Sequence, residues 1–200
     1  MDSSESVIIK RKEKVLGFLK AKANWIVYVL LAFVVFIASF IRTRNLYGLT
    51  DITTGTWTLG PDLDPFLFLR YVKTIILDGG LPAIDMMRSV PLGSPTAGDF
   101  LLHPYLIAFF HKFIGLFSGG ASVTYSAVIY PVFMFALTVI AFFFLTKELF
   151  VKNLGNKRSS IIALISVFFL STIPVFIPRT VAGIPEKESA AFFFMFATFY

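Results

Sequence analysis

Two short acidic clusters stand at the edges of apolar runs in this chain: Asp62-Leu63-Asp64-Pro65, and Glu186-Lys187-Glu188. Brought together, their carboxylates form a hard, oxygen-only ligand set suited to Mg2+ or Mn2+. The chain has no cysteine. A disulfide framework and a thiolate metal centre are both excluded, which leaves carboxylate and imidazole as ligands. Arg179, shortly before the second cluster, can hold carboxylates in position or face a phosphate. Each feature also has a plainer reading. Asp64 before Pro65 is a helix cap, worth about 1 kcal/mol. Glu186 and Glu188 after Pro185 complement the dipole of a first helical turn, and Arg179 anchors a span at the headgroups. Glutamates two apart do not share a helix face. Both reach one ion only from a loop or a frayed first turn, which Gly183 and Pro185 permit.

Composition decides where such a site sits. Hydrophobic residues make up 56% of the 200, 25 of them phenylalanine, with a mean hydropathy of +0.79. That is more than a soluble domain of this size buries, so the reading is an all-α polytopic membrane protein. The formal charge of +6 would suit nucleic acid in a soluble protein. Here the basic residues flank apolar runs, which indicates anchoring at a membrane surface and no nucleic-acid partner.

About four spans are expected, over residues 25–41, 121–146, 159–178 and 189–200 and beyond. Pro131 and Pro174 are tolerable where neighbouring helices satisfy the freed carbonyls. The first span follows a basic segment, residues 1–24, with Lys10, Arg11, Lys12, Lys14, Lys20 and Lys22, against Arg42 and Arg44 after it. The positive-inside bias puts the amino terminus in the cytoplasm, on a retained anchor rather than a cleaved signal. The last run stops while still apolar, so the chain reads as the amino-terminal part of something longer.

The segment Leu101 to Phe117 decides the topology. Were it to cross, the two acidic clusters would lie on opposite faces. As an amphipathic helix in the interface it leaves the basic hairpin with Lys147, Lys152, Lys157 and Arg158 cytoplasmic and both clusters extracytoplasmic, which obeys the charge rule. The external loop, residues 42–120, is then long enough to hold a subdomain. Asp64 and Pro65 start a helix there, Phe66 to Leu77 follow with a polar face of Arg70, Lys73 and Thr74, and Asp78-Gly79-Gly80 ends it. Leu81 to Asp99 reads as irregular loop. There is no internal repeat, and no Asn-x-Ser/Thr acceptor in the chain itself.

At these residues a family resemblance appears. Gly60-Pro61-Asp62-Leu63-Asp64-Pro65-Phe66, continuing to Arg70-Tyr71, resembles the first acidic motif of the catalytic subunit of oligosaccharyltransferase, in its archaeal form. Arg179-Thr180-Val181-Ala182-Gly183, with Pro185-Glu186-Lys187-Glu188, resembles the second. The resemblance covers nearly the whole chain from the first span onward. It implies a GT-C-type glycosyltransferase, here its amino-terminal fragment, in the plasma membrane. It further implies transfer of a glycan from a polyprenyl (dolichyl) phosphate or diphosphate lipid to the asparagine amide of Asn-x-Ser/Thr in a polypeptide.

By the same resemblance Asp64 binds the metal and engages the acceptor amide, Glu186 is a second metal ligand, and Glu188 is the other acidic member of that motif, which contributes to the metal in some family members or lies beside the lipid phosphate. Arg179 supports the catalytic centre, and His103, in Leu102-His103-Pro104, lies near the lipid phosphate. Many members have aspartate where this chain has glutamate in the second motif, which changes reach but keeps oxygen ligation. The family's later metal-binding glutamate and its Trp-Trp-Asp-Tyr-Gly motif are not in these 200 residues, so turnover is not expected from them alone. Rival readings are another GT-C enzyme using a polyprenyl-phosphate sugar, and a transporter or structural membrane protein whose acids are helix caps.

The shared compartment is directly testable. Single cysteines at Leu63 and Lys187 are expected to react with a membrane-impermeant maleimide from the same side; labelling from opposite sides would mean that Leu101 to Phe117 crosses.

Overall fold

The chain is described from a computed structural model, which covers Gly17, residues 23–98 and residues 101–200. The basic residues Lys10 to Lys22 of the expected cytoplasmic segment lie outside the described residues, as does Asp99. The described part is mostly helical, as expected. Its helices are α1 (Ala23–Thr43), α2 (Asp64–Asp78), α3 (Leu102–Gly115), α4 (Val123–Thr172) and α5 (Lys187–Phe199). A two-residue antiparallel ribbon, β1 (Ile84–Asp85) with β2 (Ser94–Pro95), stands in the segment expected to be irregular.

The helix α1 is apolar on every face, and burial selects one stripe of it. Leu31, Val34 and Ala38 recur at helical spacing and pack on Phe135, Val139 and Phe143, and on Ala163, Val167 and Leu170. Phe33, Phe36 and Phe40 point outward and exposed. Two helices, Trp25–Gly48 (which takes in α1) and α4, are long and apolar enough to cross a bilayer.

Two separate spans and a basic hairpin were expected where the structure has a single helical run, α4, broken only at Gly155. Phe135 and Ser171 both touch the side chain of Arg42. In a straight helix they would stand about 54 Å apart at ~1.5 Å per residue. The chain therefore doubles back at Gly155, whose φ of 73° and ψ of 164° lie in a region essentially reserved for glycine. Two antiparallel arms result, 123–154 and 156–172. Lys147, Lys152, Lys157 and Arg158 sit around that reversal.

The polypeptide enters and leaves one end of this bundle. Arg42 closes α1 there, the Val128 carbonyl near the start of α4 accepts from Gly183 N–H, and Ser171 ends the returning arm. The described residues between 44 and 122 thus start from and return to that end. With 14 residues, α3 is about 21 Å long, short of the ~30 Å hydrocarbon core. Its first turn bonds Pro185 through His103, and its third bonds Ser126 through His111. Leu101 to Phe117 is therefore docked at that end of the bundle through α3. Beside it, α2 buries Phe68, Leu69, Val72 and Ile75 and ends at Gly79 in the left-handed conformation, φ 82°.

A Cβ at Gly155 would meet nothing within 4 Å, so substitution there tests the backbone alone. Gly155→Ala is expected to cost about 1–3 kcal/mol, seen as a lower thermal unfolding midpoint in detergent with the packing of α1 unchanged.

Candidate functional site

The two acidic motifs meet because their loops are bonded to each other and to the bundle. Gly60 N–H donates to the Gly183 carbonyl at 2.8 Å, and Gly183 N–H donates to the Val128 carbonyl at 2.9 Å. Gly183 has a φ of +84°, and a Cβ on it would lie 2.6 Å from Leu49 Cδ1 and 3.2 Å from Gly60 N. No other residue fits that crossing. From the end of α1, Arg42 and Asn45 add three bonds to the same loop: Arg42 Nε to Thr180 Oγ1 at 2.7 Å, Ala182 N–H to the Arg42 carbonyl at 2.9 Å, and Asn45 Nδ2 to the Ala182 carbonyl at 2.7 Å.

Arg179 stands between the motifs. Its Nη1 is 3.7 Å from Asp62 Oδ2 and 3.5 Å from Glu186 Oε1. Asp62 also accepts from Leu63 N–H at 2.8 Å. Glu186 occupies the position before α5 in extended conformation, φ −81° and ψ 151°, and its carbonyl accepts from both the backbone and the hydroxyl of buried Ser189. Glu188 follows in the first turn of α5. This is the loop-plus-first-turn arrangement that two glutamates of one motif require.

Asp64 departs from the cap expected of it. It is the first residue of α2; Leu63, at the capping position, is already helical with φ −81° and ψ −41°, and no side-chain hydrogen bond caps the helix. Pro65 next to it needs no partner for a nitrogen that carries no proton. The Asp64 carboxylate therefore stays exposed at the rim.

The charges are unbalanced. Glu186 is 2% exposed, and burial raises its pKa above the ordinary carboxylate value. The charges of Glu188, Asp62 and Asp64 push it the same way, against Arg179. Both motifs thus act on one carboxylate. Glu188 Oε2 is buried with no hydrogen-bond partner. An excess of carboxylate and an unpartnered buried oxygen suit a hard divalent cation. Among the described residues, however, no group of three or more His, Cys, Asp or Glu side chains is close enough to hold an ion. The ligand set is compatible in chemistry and incomplete in number.

His103 is buried between Phe68 and Tyr130, with ring centroids at 4.8 and 5.4 Å. Its Nε2 lies 2.8 Å from the Pro185 carbonyl. A carbonyl only accepts, so Nε2 carries the proton and Nδ1, buried without a partner, is left as an acceptor. Burial holds its pKa below the usual histidine value, only partly offset by the Pro185 bond and Glu188. The ring is therefore neutral at physiological pH, and it fastens the residue before Glu186.

Arg70 and Tyr71 serve another centre. Arg70 Nη1 donates to Asp85 Oδ1 at 2.8 Å, its Nη2 pairs with Oδ2, and Tyr71 Oη and Met87 N–H add bonds at 3.1 Å. Asp85 is held well below the ordinary carboxylate range, first by Arg70. This pairing pins the 84–95 ribbon to α2. Asp85, Arg42, Asn45 and Thr180 carried no sequence signal of their partners; Gly60 and Gly183 stood within the two motifs but gave none of their contact.

A family model described as "Oligosaccharyl transferase STT3, N-terminal" matches residues 26–200. The chain is also similar to dolichyl-phosphooligosaccharide-protein glycotransferase 2 of Archaeoglobus fulgidus, 30% identical over 155 residues. That alignment takes in 77% of this chain and 23% of the relative, so the chain spans under a quarter of that protein's length.

Because Glu186 has a raised pKa, its ionised form is disfavoured in the fold, and that cost is complete above the raised value, shrinks as pH falls towards the ordinary carboxylate value of the unfolded chain, and is absent below that. Without divalent cation, Glu186→Gln is expected to raise the unfolding midpoint at pH 7.5, by a margin that closes as pH falls through the Glu186 titration; a parallel pair of pH–midpoint curves would contradict this.

Proposed function

The chain belongs to the oligosaccharyl transferase STT3 family, a family of multi-pass membrane proteins, and on that premise we propose that its acidic centre serves transfer of a glycan from a polyprenyl phosphate or diphosphate lipid to asparagine amides of Asn-x-Ser/Thr polypeptides. The observation that carries the reading is Arg179 bridging Asp62 of one motif and Glu186 of the other. Helix caps have no need of such a bridge.

The chemistry follows from the groups present. An amide nitrogen is a poor nucleophile because its lone pair is delocalised into the carbonyl. Exposed Asp64 is free to accept N–H hydrogen bonds from an entering carboxamide, favouring a twisted amide with a more available lone pair. Asp64, Glu186 and Glu188 would hold Mg2+ or Mn2+, with further ligands from outside this chain. When bound, the cation supplies Lewis-acid stabilisation of the phosphate leaving group. Arg179 keeps the motifs in register while their carboxylates repel one another. His103 serves by holding Pro185, and its neutral ring lies where the lipid phosphate would approach.

In the membrane, the end of the bundle that carries the site would face the extracytoplasmic side, with the amino terminus in the cytoplasm and the lipid tail of the donor remaining among the exposed apolar faces. The plasma membrane is the expected location.

In the full-length protein, Asp64→Ala and Glu186→Ala are each expected to lower transfer to an Asn-x-Thr peptide by at least about 100-fold at normal abundance, with activity lost on chelation and restored by Mn2+. A loss confined to stability, about 1 kcal/mol, would return the acids to the role of caps.

A further inference from the structure

Arg42 is a full positive charge with 0% exposure and no carboxylate among its described partners. Its guanidinium lies flat over Phe135, 3.3 Å from the ring centroid. Nη1 donates to the Ala38 carbonyl at 3.2 Å and the Ser171 carbonyl at 3.0 Å. Ala38 is in the last turns of α1, and Ser171 is next to last in α4. The last turns of two helices thus present carbonyls to one cation without an acid, and its Nη2 is buried without a hydrogen-bond partner. The remaining bond is directed elsewhere. Nε donates to Thr180 Oγ1 at 2.7 Å, and that hydroxyl donates to the Phe176 carbonyl. Thr180 is the neighbour of Arg179, and the Arg42 carbonyl itself holds Ala182.

We propose that Arg42 is a positioning residue for the acidic centre: through Thr180 it fixes where Arg179 stands between Asp62 and Glu186, and so fixes the separation of the two motifs. The span bundle supplies the reference frame and the guanidinium transmits it to the 176–182 loop. A lysine cannot do this, since one ammonium does not reach two carbonyls and a hydroxyl in a planar fork. The inference rests on the oligosaccharyl-transfer reading only for its kinetic arm; its geometric arm stands without it.

The test is made on the full-length protein in nanodiscs, with spin labels on Leu63→Cys and Val175→Cys, positions 85% and 77% exposed, and the inter-label distance read by double electron–electron resonance. Thr180→Val keeps Arg42 and its carbonyl bonds and removes the link, together with the hydroxyl's bond to the Phe176 carbonyl. It is expected to broaden or shift the distance distribution and to lower kcat about 100-fold with KM for an acceptor peptide within about twofold. Thr180→Ser, which keeps the hydroxyl, restores both. Arg42→Met matches Thr180→Val, and the double variant is no worse than Arg42→Met alone. A folded Thr180→Val protein with the parental distance and kcat overturns the proposal, and so does that result accompanied by an Arg42→Met protein that fails to fold, because Arg42 then serves packing alone. A parental protein without any transfer activity refutes the functional reading, while the distance distributions still decide this one.

Discussion

A cation buried where two helices end is the constraint on which this architecture turns. Each helix C-terminus carries roughly half a negative charge, and α1 and the returning arm of α4 bring theirs to the guanidinium of Arg42. Removing that cation would leave carbonyls and a hydroxyl facing one another out of reach of water, at about 1–3 kcal/mol for each unsatisfied group. The ends of the two helices are held at one level because they share a partner. Everything that follows them, the first loop after α1 and the 173–186 loop after α4, starts from that level.

The acidic centre inherits its geometry from this arrangement while contributing nothing to it. Asp62, Asp64, Glu186 and Glu188 are like charges, and burial first, then the other three carboxylates, raise the pKa of Glu186; they would separate if their loops were free. Backbone bonds prevent it: Gly60 to Gly183, Gly183 to Val128, Ala182 to Arg42 and Pro185 to His103. These are bonds among neutral groups, insensitive to the charge they confine. Stability is spent to keep like charges together, the pattern expected of a site that awaits a cation or a cationic partner.

The packing also separates two roles that neighbouring residues play. Arg70 and Tyr71 follow the first acidic motif closely in sequence, yet they turn to Asp85 and secure the ribbon of the external loop. Asp64, at the start of the same helix, keeps an exposed carboxylate. Arg70 and Tyr71 stand nearly two turns further along α2, roughly 10 Å from Asp64 on the helix axis at ~1.5 Å per residue. The arrangement keeps the Asp64 carboxylate exposed at the start of α2 and leaves Phe33, Phe36 and Phe40 exposed on α1.

Hydropathy, charge and local chemistry made much of this legible in the chain. Long apolar runs have no other use than burial or lipid, so the helical membrane class was readable, and Gly79 ended α2 as a residue that readily tolerates the left-handed turn. Two motifs of hard carboxylates identified the candidate site, because ligand chemistry is a property of side-chain type. Long-range pairing was another matter. Arg42 reads as an ordinary flanking charge, Asp64 as a cap and Gly155 as part of a polar hairpin. The Ser171 carbonyl and the Thr180 hydroxyl reach Arg42 from 129 and 138 residues away, a separation that local pattern cannot encode. Sequence determined which groups are present and which segments are helical; the tertiary structure alone decided which of them meet, because that depends on the common end of the bundle where α1 and the doubled α4 come together.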